Sequence, residues 1–281
     1  MIKVLNIISD SNIGGAGRCV LNYLKYCDRT NFDIRVALPK GSLLVPEIKK
    51  LGFPVIEADI TPDKSLDIKA VGKLSQIIKD VNPDIIHTHG AVSGRIAGRL
   101  CGKKVVYTRH SVFPVNPRIK KGMGRFINKT ANEFLSDDII AVAEAAKENL
   151  TDGGISPEKI KVILNGVERV EMPSEDEILA SKEKYGVKDE FVLGILARLE
   201  PVKGHEFLIE AAEILKNQGK NIKVIIAGVG SSEKELKKLV KEKGLEDTVV
   251  FAGFVSNIKE LLGIMHLQIN ASYGTEATSL A

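Results

Sequence analysis

The chain has 281 residues, 44% hydrophobic and 27% charged, with a net charge of +4. That length suits about two soluble domains, and no run approaches the roughly 18 apolar residues of a membrane span. Three cysteines, Cys19, Cys27 and Cys101, lack metal-ligand spacing and read as free thiols, not a disulfide framework. The start, "MIKVLNIIS", enters a strand-like run directly, without the pattern of a secretory leader. A cytoplasmic location is therefore expected. The charge is uneven: residues 1–172 carry 26 Lys and Arg against 19 Asp and Glu, while 173–281 carry 14 against 17. A basic first half invites an anionic partner: a lipid surface, a phosphorylated ligand or nucleic acid.

In chain order, short β-branched runs alternate with helix-period segments. A strand at 3–9 leads to a helix at 17–27, a strand at 32–38 to a helix at 43–52, and a short strand at 54–58 to a helix at 67–81. Strands follow at 84–89 and 104–110, with a helix at 92–101 between them. A basic stretch at 115–135 comes next, then a strand at 138–143, a helix from 144 and a strand at 159–167. Residues 168–188 are polar and break the rhythm. The alternation then restarts, with strands at 191–197, 222–228, 248–253 and 266–272. Apolar runs without inside–outside alternation suit strands covered on both faces, and βαβα order implies parallel, doubly wound sheets. The fold class is α/β, with two Rossmann-like domains expected at 1–172 and 173–281. The C-terminal domain is expected to be incomplete, since "GTEATSLA" resembles a helix start that ends after about a turn; a fragment of a longer protein is expected.

Ligands of such sheets bind beyond the carboxyl ends of the strands. The first loop, "SDSNIGGAG", places Gly15 at a helix start, where backbone N–H groups and the helix dipole favour an anion. A nicotinamide site would need G-x-G-x-x-G and an acid closing the second strand; here Gly15-x-Gly17 leads to Val20, and that strand ends "VALPKG". A glycine turn needed only for packing is the alternative. His87 and His89 share one face of their strand, and His89, before Gly90, is expected to reach the crevice. No third metal ligand is spaced nearby. Arg198 and Lys203 flank Pro201 before Gly204 opens a helix, an arrangement suited to a departing diphosphate. Solvated side chains, or pairing with Glu200 and Glu206, is the competing reading. Gly228 and Gly230 form a further turn, with Ser231 or Ser232 and Glu235 positioned as a capping box. Gly253, Phe254 and Val255 end another strand where backbone could meet a flat base. Glu276 is either a first-turn glutamate or a crevice-facing one.

Together, Gly14-Gly15, "HTHG" at 87–90, "NGV" at 165–167, "ARLEPVKG" at 197–204, "AGVGSSEKEL" at 227–236, "FAGFV" at 251–255 and "EATSLA" from 276 resemble glycosyltransferase family 4, of the GT-B fold. The resemblance spans the chain and implies two facing Rossmann-like domains, acceptor-side first and nucleotide-sugar-binding second. It implies that Arg198 and Lys203 grip the donor diphosphate, that Gly15 contacts it by backbone, and that Gly253 to Val255 receive the base. It puts His89 near the transferred sugar and Glu276 on that sugar; a second glutamate, on the ribose, would fall at about position 284. The implied reaction is metal-independent sugar transfer with retained anomeric configuration, with no cofactor beyond the nucleotide sugar. The family often has Glu or Gln where Gly17 stands, and Gly where Ala277 stands.

Residues 115–135 hold Arg118, Lys120, Lys121, Arg125 and Lys129 before the first acid, Glu133, with Ile119, Met123, Phe126 and Ile127 interleaved. That suits either an interfacial helix attracted to anionic lipid or a solvated helix at the domain edge. Nucleic acid is disfavoured, since only Phe113 and Phe126 are near enough to stack. The expected partners are a nucleotide sugar, a glycan or lipid-linked acceptor, and an anionic membrane surface. A sugar-nucleotide epimerase and a non-catalytic binding or docking fragment are the alternatives.

Overall fold

The computed structural model describes residues 1–11, 13–62 and 64–273. The chain divides into two compact units, Met1–Val167 and a second beginning at Glu168.

In the first unit the strands are β1 (Ile2–Ile8), β2 (Phe32–Pro39), β3 (Val55–Ala58), β4 (Ile85–His89), β5 (Lys104–Arg109), β6 (Asp138–Ala141) and β7 (Ile160–Val162). The helices between them are α1 (Gly15–Tyr26), α2 (Leu44–Lys50), α3 (Ile68–Val81), α4 (Val92–Leu100), α5 (Pro117–Lys120), α6 (Gly122–Leu135) and α7 (Glu144–Asp152). Every pairing is parallel, in the order β3-β2-β1-β4-β5-β6-β7. Alternation along β1 explains the double winding. Val4 and Ile8 join Val20 and Leu24 of α1 in one core, while Leu5 and Ile7 join Leu74 and Ile78 of α3 in the other. Asn6, fully buried between Val4 and Ile8, is the polar exception on the α1 face.

The second unit has α8 (Glu175–Tyr185), β8 (Phe191–Leu196), α9 (His205–Asn217), β9 (Ile222–Ala227), α10 (Glu233–Glu242), β10 (Val249–Gly253), α11 (Lys259–Leu262) and β11 (Leu267–Gln268). Its four described strands are parallel, in the order β10-β9-β8-β11. Leu193 and Ile195 pack with Leu208, Ile209 and Val240 on one face, and Val192 and Ile225 with Tyr185 and Leu261 on the other.

Four stretches differ from the expectation: the first is β11, which covers only Leu267–Gln268 where a strand over 266–272 was expected. The polar segment 168–188 contains α8, held by a capping box in which Ser174 Oγ accepts from Glu177 N and the Glu177 side chain accepts from Ser174 N. The basic stretch is two helices, separated by the extended Lys121 and by Gly122, which opens α6 with a left-handed φ of +59°. Strand β7 stops at Val162 and residues 163–174 carry neither helix nor strand, where a strand to 167 was expected.

Candidate functional site

In the second unit, the loops at the carboxyl edge of the sheet are tied together by main-chain bonds. Ala197 N donates to Ala227 O at 3.0 Å, Leu199 N to Val229 O at 3.0 Å, Gly228 N to Gly253 O at 2.7 Å and Tyr273 N to Val202 O at 2.9 Å. Arg198, Lys203, Gly228, Gly230 and Gly253 therefore share one edge. The fit is tight enough to dictate glycine. A Cβ on Gly228, where φ is +147°, would lie 1.9 Å from the Ala197 carbonyl oxygen, and one on Gly230 would lie 2.3 Å from that of Leu199. At Gly204, φ is +67° and a Cβ would meet the Ala271 oxygen at 2.3 Å. These glycines thus have a packing role whatever they bind.

Arg198 is exposed and, among the described residues, makes no ion pair; Lys203 is half-buried. Glu200 does not neutralise Arg198 through a direct bond. Its carboxylate accepts from Ser231 Oγ at 2.7 Å and Ser231 N at 3.3 Å, and these bonds, with a smaller contribution from Arg198, hold its pKa below the usual range. The expected capping box at α10 is absent: Ser232 is the N-cap without a side-chain cap bond, and its main-chain N–H, which the box would give to Glu235, donates instead to Leu199 O at 2.9 Å, while the Ser231 hydroxyl is bonded to Glu200. Lys203 precedes Gly204, the N-cap of α9, which has no side-chain cap, so main-chain donors of the first turn remain for a ligand. Phe254 is exposed, while Val255 packs against the core.

In the first unit, the sheet order reverses direction between β1 and β4, the place where such sheets take ligands. Gly15 opens α1 there, exposed. Its N-cap Gly14 offers no side-chain bond and no acid stands in the first turn. Beside it lies a histidine cluster. His89 Nδ1 is 2.9 Å from His110 Nε2, His89 Nε2 is 3.2 Å from Asn6 Oδ1, and His87 Nε2 is 2.7 Å from Thr108 Oγ1. The rings of His89 and His110 stack at 5.2 Å, those of His87 and His89 lie 4.3 Å apart, and Tyr23 stands edge-on to His87 at 6.2 Å. His87 and His89 do share a face, but His89 is only 6% exposed. His110, half-buried at the end of β5, is the imidazole nearer solvent. Sequence reasoning missed it, although it stands at the end of the run "KVVYTRH". The register of β5 on β4 pairs His89 with Thr108, which puts His110 next on the same face.

Burial pushes His87 and His110 down to about 4, with the charge of His110 adding to the shift at His87. Burial, then His87 and His110, pushes His89 well below its usual value. All three are neutral near pH 7, able to donate or accept hydrogen bonds but not to hold a positive charge. His110 Nδ1 is buried without a hydrogen-bond partner among the described residues. Among the described residues, no group of three or more His, Cys, Asp or Glu is arranged to hold a metal. Glu276 lies outside the described residues.

Residues 13–170 match the family model described as Glycosyltransferase Family 4, and residues 177–281 the model described as Glycosyl transferases group 1. Over 264 residues the chain is 27% identical to EpsD of Bacillus subtilis strain 168, named as a glycosyltransferase, covering 90% of this chain and 68% of EpsD. It is 26% identical over 272 residues to the capsular polysaccharide biosynthesis glycosyltransferase CapH of Staphylococcus aureus, covering 92% of this chain and 71% of CapH. The crystal structure of HepE from Anabaena in complex with UDP superposes with a TM-score of 0.78 at 25% identity, over 96% of this chain and 74% of HepE. Both units therefore have the architecture of GT-B glycosyltransferases, and the chain belongs to glycosyltransferase family 4.

Proposed function

We propose that the protein transfers a sugar from a nucleotide-sugar donor to a glycan or lipid-linked acceptor, with retained configuration and without a metal, in the synthesis of a surface polysaccharide or glycolipid. The observation that carries this is the pairing of Arg198, free of any ion pair among the described residues, with Lys203 at the uncapped start of α9. Breaking the bond between the sugar carbon and the diphosphate leaves negative charge on the departing phosphate oxygens. A guanidinium, an ammonium and helix N–H groups stabilise that charge as it develops. The UDP bound in HepE and the capsular role in the name of CapH support the donor class and the pathway class.

Gly253 to Val255 are assigned to the base, with Phe254 as an exposed ring to stack on it. Gly15 is assigned to the donor diphosphate through its main chain, His89 and Glu276 to the sugar. His110 joins them on the strength of its position. Helix α6 has no buried residue, and Met123, Phe126, Ile127 and Phe134 are each more than half exposed. With Lys120 and Lys121 beside them, they suit attachment to an anionic membrane at its inner face.

The test is to incubate the protein with UDP-sugars and a lipid-linked glycan acceptor and follow nucleotide release and the new glycoside by NMR. Acceptor-dependent UDP release with an unchanged anomeric configuration is expected. Donor turnover without acceptor would replace this reading with an epimerase.

A further inference from the structure

On the face of the first sheet opposite the histidine cluster, two arginines lie close together without a counter-ion. Arg95 of α4 is 5% exposed, and its guanidinium stacks 4.3 Å over the Tyr107 ring. Arg109 ends β5, next to His110, and its guanidinium lies 5.2 Å from the exposed Phe113 ring. Neither makes an ion pair among the described residues. Their side-chain partners are neutral: Arg95 Nη1 donates to Asn132 Oδ1 at 2.9 Å, Arg109 Nη2 to Asn149 Oδ1 at 3.1 Å, and Arg109 Nη1 to the Tyr107 hydroxyl at 3.5 Å. Among the described residues, the Nε atom of each is buried with no acceptor.

The acids on neighbouring elements are engaged elsewhere or unpaired with either arginine. Asp137 holds Arg99, and Glu133 is held by Lys129 and the Ser156 main chain. Glu144 and Glu148 of α7 are exposed and bridge to neither arginine. Each guanidinium offers five donors, and burying charge without a counter-ion is costly. Burial and the neighbouring Arg109 both press the Arg95 pKa down. The amides of Asn132 and Asn149 satisfy a few N–H groups but cancel no charge. An anion would satisfy both needs. A fork of planar donors suits phosphoryl oxygens, and Arg109 stands at the carboxyl edge, where these sheets receive ligands.

We infer that Arg109, backed by Arg95, binds a phosphate or diphosphate group carried by the acceptor. This rests on the reading of the protein as a glycosyltransferase, and it deepens that reading by naming the acceptor as phosphorylated. Arg95 and Arg109 belong to the first unit, Arg198 and Lys203 to the second.

The experiment uses the full chain carrying Arg198→Ala and Lys203→Ala, so that the donor cations cannot report. Inorganic diphosphate and farnesyl diphosphate are titrated into it by calorimetry at low salt, then into the same protein with Arg109→Gln or Arg109→Lys added. Expected are one-to-one binding of both probes, a loss of at least tenfold with Gln, and partial retention with Lys. Thermal melting checks that each variant is folded. Equal binding with and without Arg109→Gln, or no binding of either probe, overturns the inference. UDP binding to the protein with Arg109→Gln alone tests the donor reading independently: the inference predicts that it matches wild type, and a loss there as large as the diphosphate loss would also overturn it.

Discussion

Three imidazoles on one face of the first sheet, His87, His89 and His110, make the protein's acid sensitivity a matter of single residues. In the unfolded chain each takes up its proton near pH 6.5, whereas in the fold His87 and His110 do so only at about 4. Between those values the unfolded chain holds more protons, so stability rises with pH and is lost as pH falls through the window. The gap corresponds to about 3 kcal/mol per ring, an upper figure because the rings influence one another. Replacing His110 by Gln should therefore flatten the decline of melting temperature between pH 6.5 and 4.5. Parallel declines for variant and wild type would show that the rings are not the cause. That His87 and His89 share a face was legible from "HTH", and His89 was expected to reach the crevice because it stands before a glycine. Its burial was not, because that depends on Asn6 and His110, 83 and 21 positions away in sequence, being brought against it by strand order. That Arg198 and Lys203 lie close together was legible because one short loop holds both. The packing reason for Gly228 and Gly230 was not, since it comes from the neighbouring β8 loop.

At the scale of elements, the strands of the sheets were readable because both faces are buried and their apolar runs are continuous. Helix α8 was not read, because its composition is polar and it buries only Ser181 and Tyr185. Its local signal was the Ser174-x-x-Glu177 capping box, and ion pairs Lys259–Glu177 and Lys184–Glu260 bind it to α11 and the start of that helix. In the basic stretch, helix period was readable, but the break at Lys121 and Gly122 was not, since glycine is also tolerated inside helices. Helix α6 keeps its apolar residues outward, which no contact in its own unit explains. If they meet lipid, the protein should sediment with phosphatidylglycerol vesicles in a salt-sensitive way. Neutralising Lys120 and Lys121 should weaken this by about 2 kcal/mol, roughly thirtyfold. Unchanged sedimentation would exclude this helix as the attachment.

For the whole molecule, two parallel sheets wound on both faces were predictable from alternation, whereas the strand orders β3-β2-β1-β4-β5-β6-β7 and β10-β9-β8-β11 were not. Those orders matter for function, because the loops that meet at a carboxyl edge come from strands adjacent in space rather than in sequence. The basic first half now has particular residues behind it: Arg95 and Arg109, which have no counter-ion among the described residues, and the lysines before α6. The second half, net acidic by count, nonetheless places Arg198 and Lys203 at the carboxyl edge of its sheet. The account turns on these two cations holding a nucleoside diphosphate. Calorimetric titration of UDP into the wild-type chain, Arg198→Ala and Lys203→Ala tests it most directly. Binding by the wild type, weakened at least tenfold by either substitution, is the predicted result; equal UDP affinity in all three proteins would contradict it.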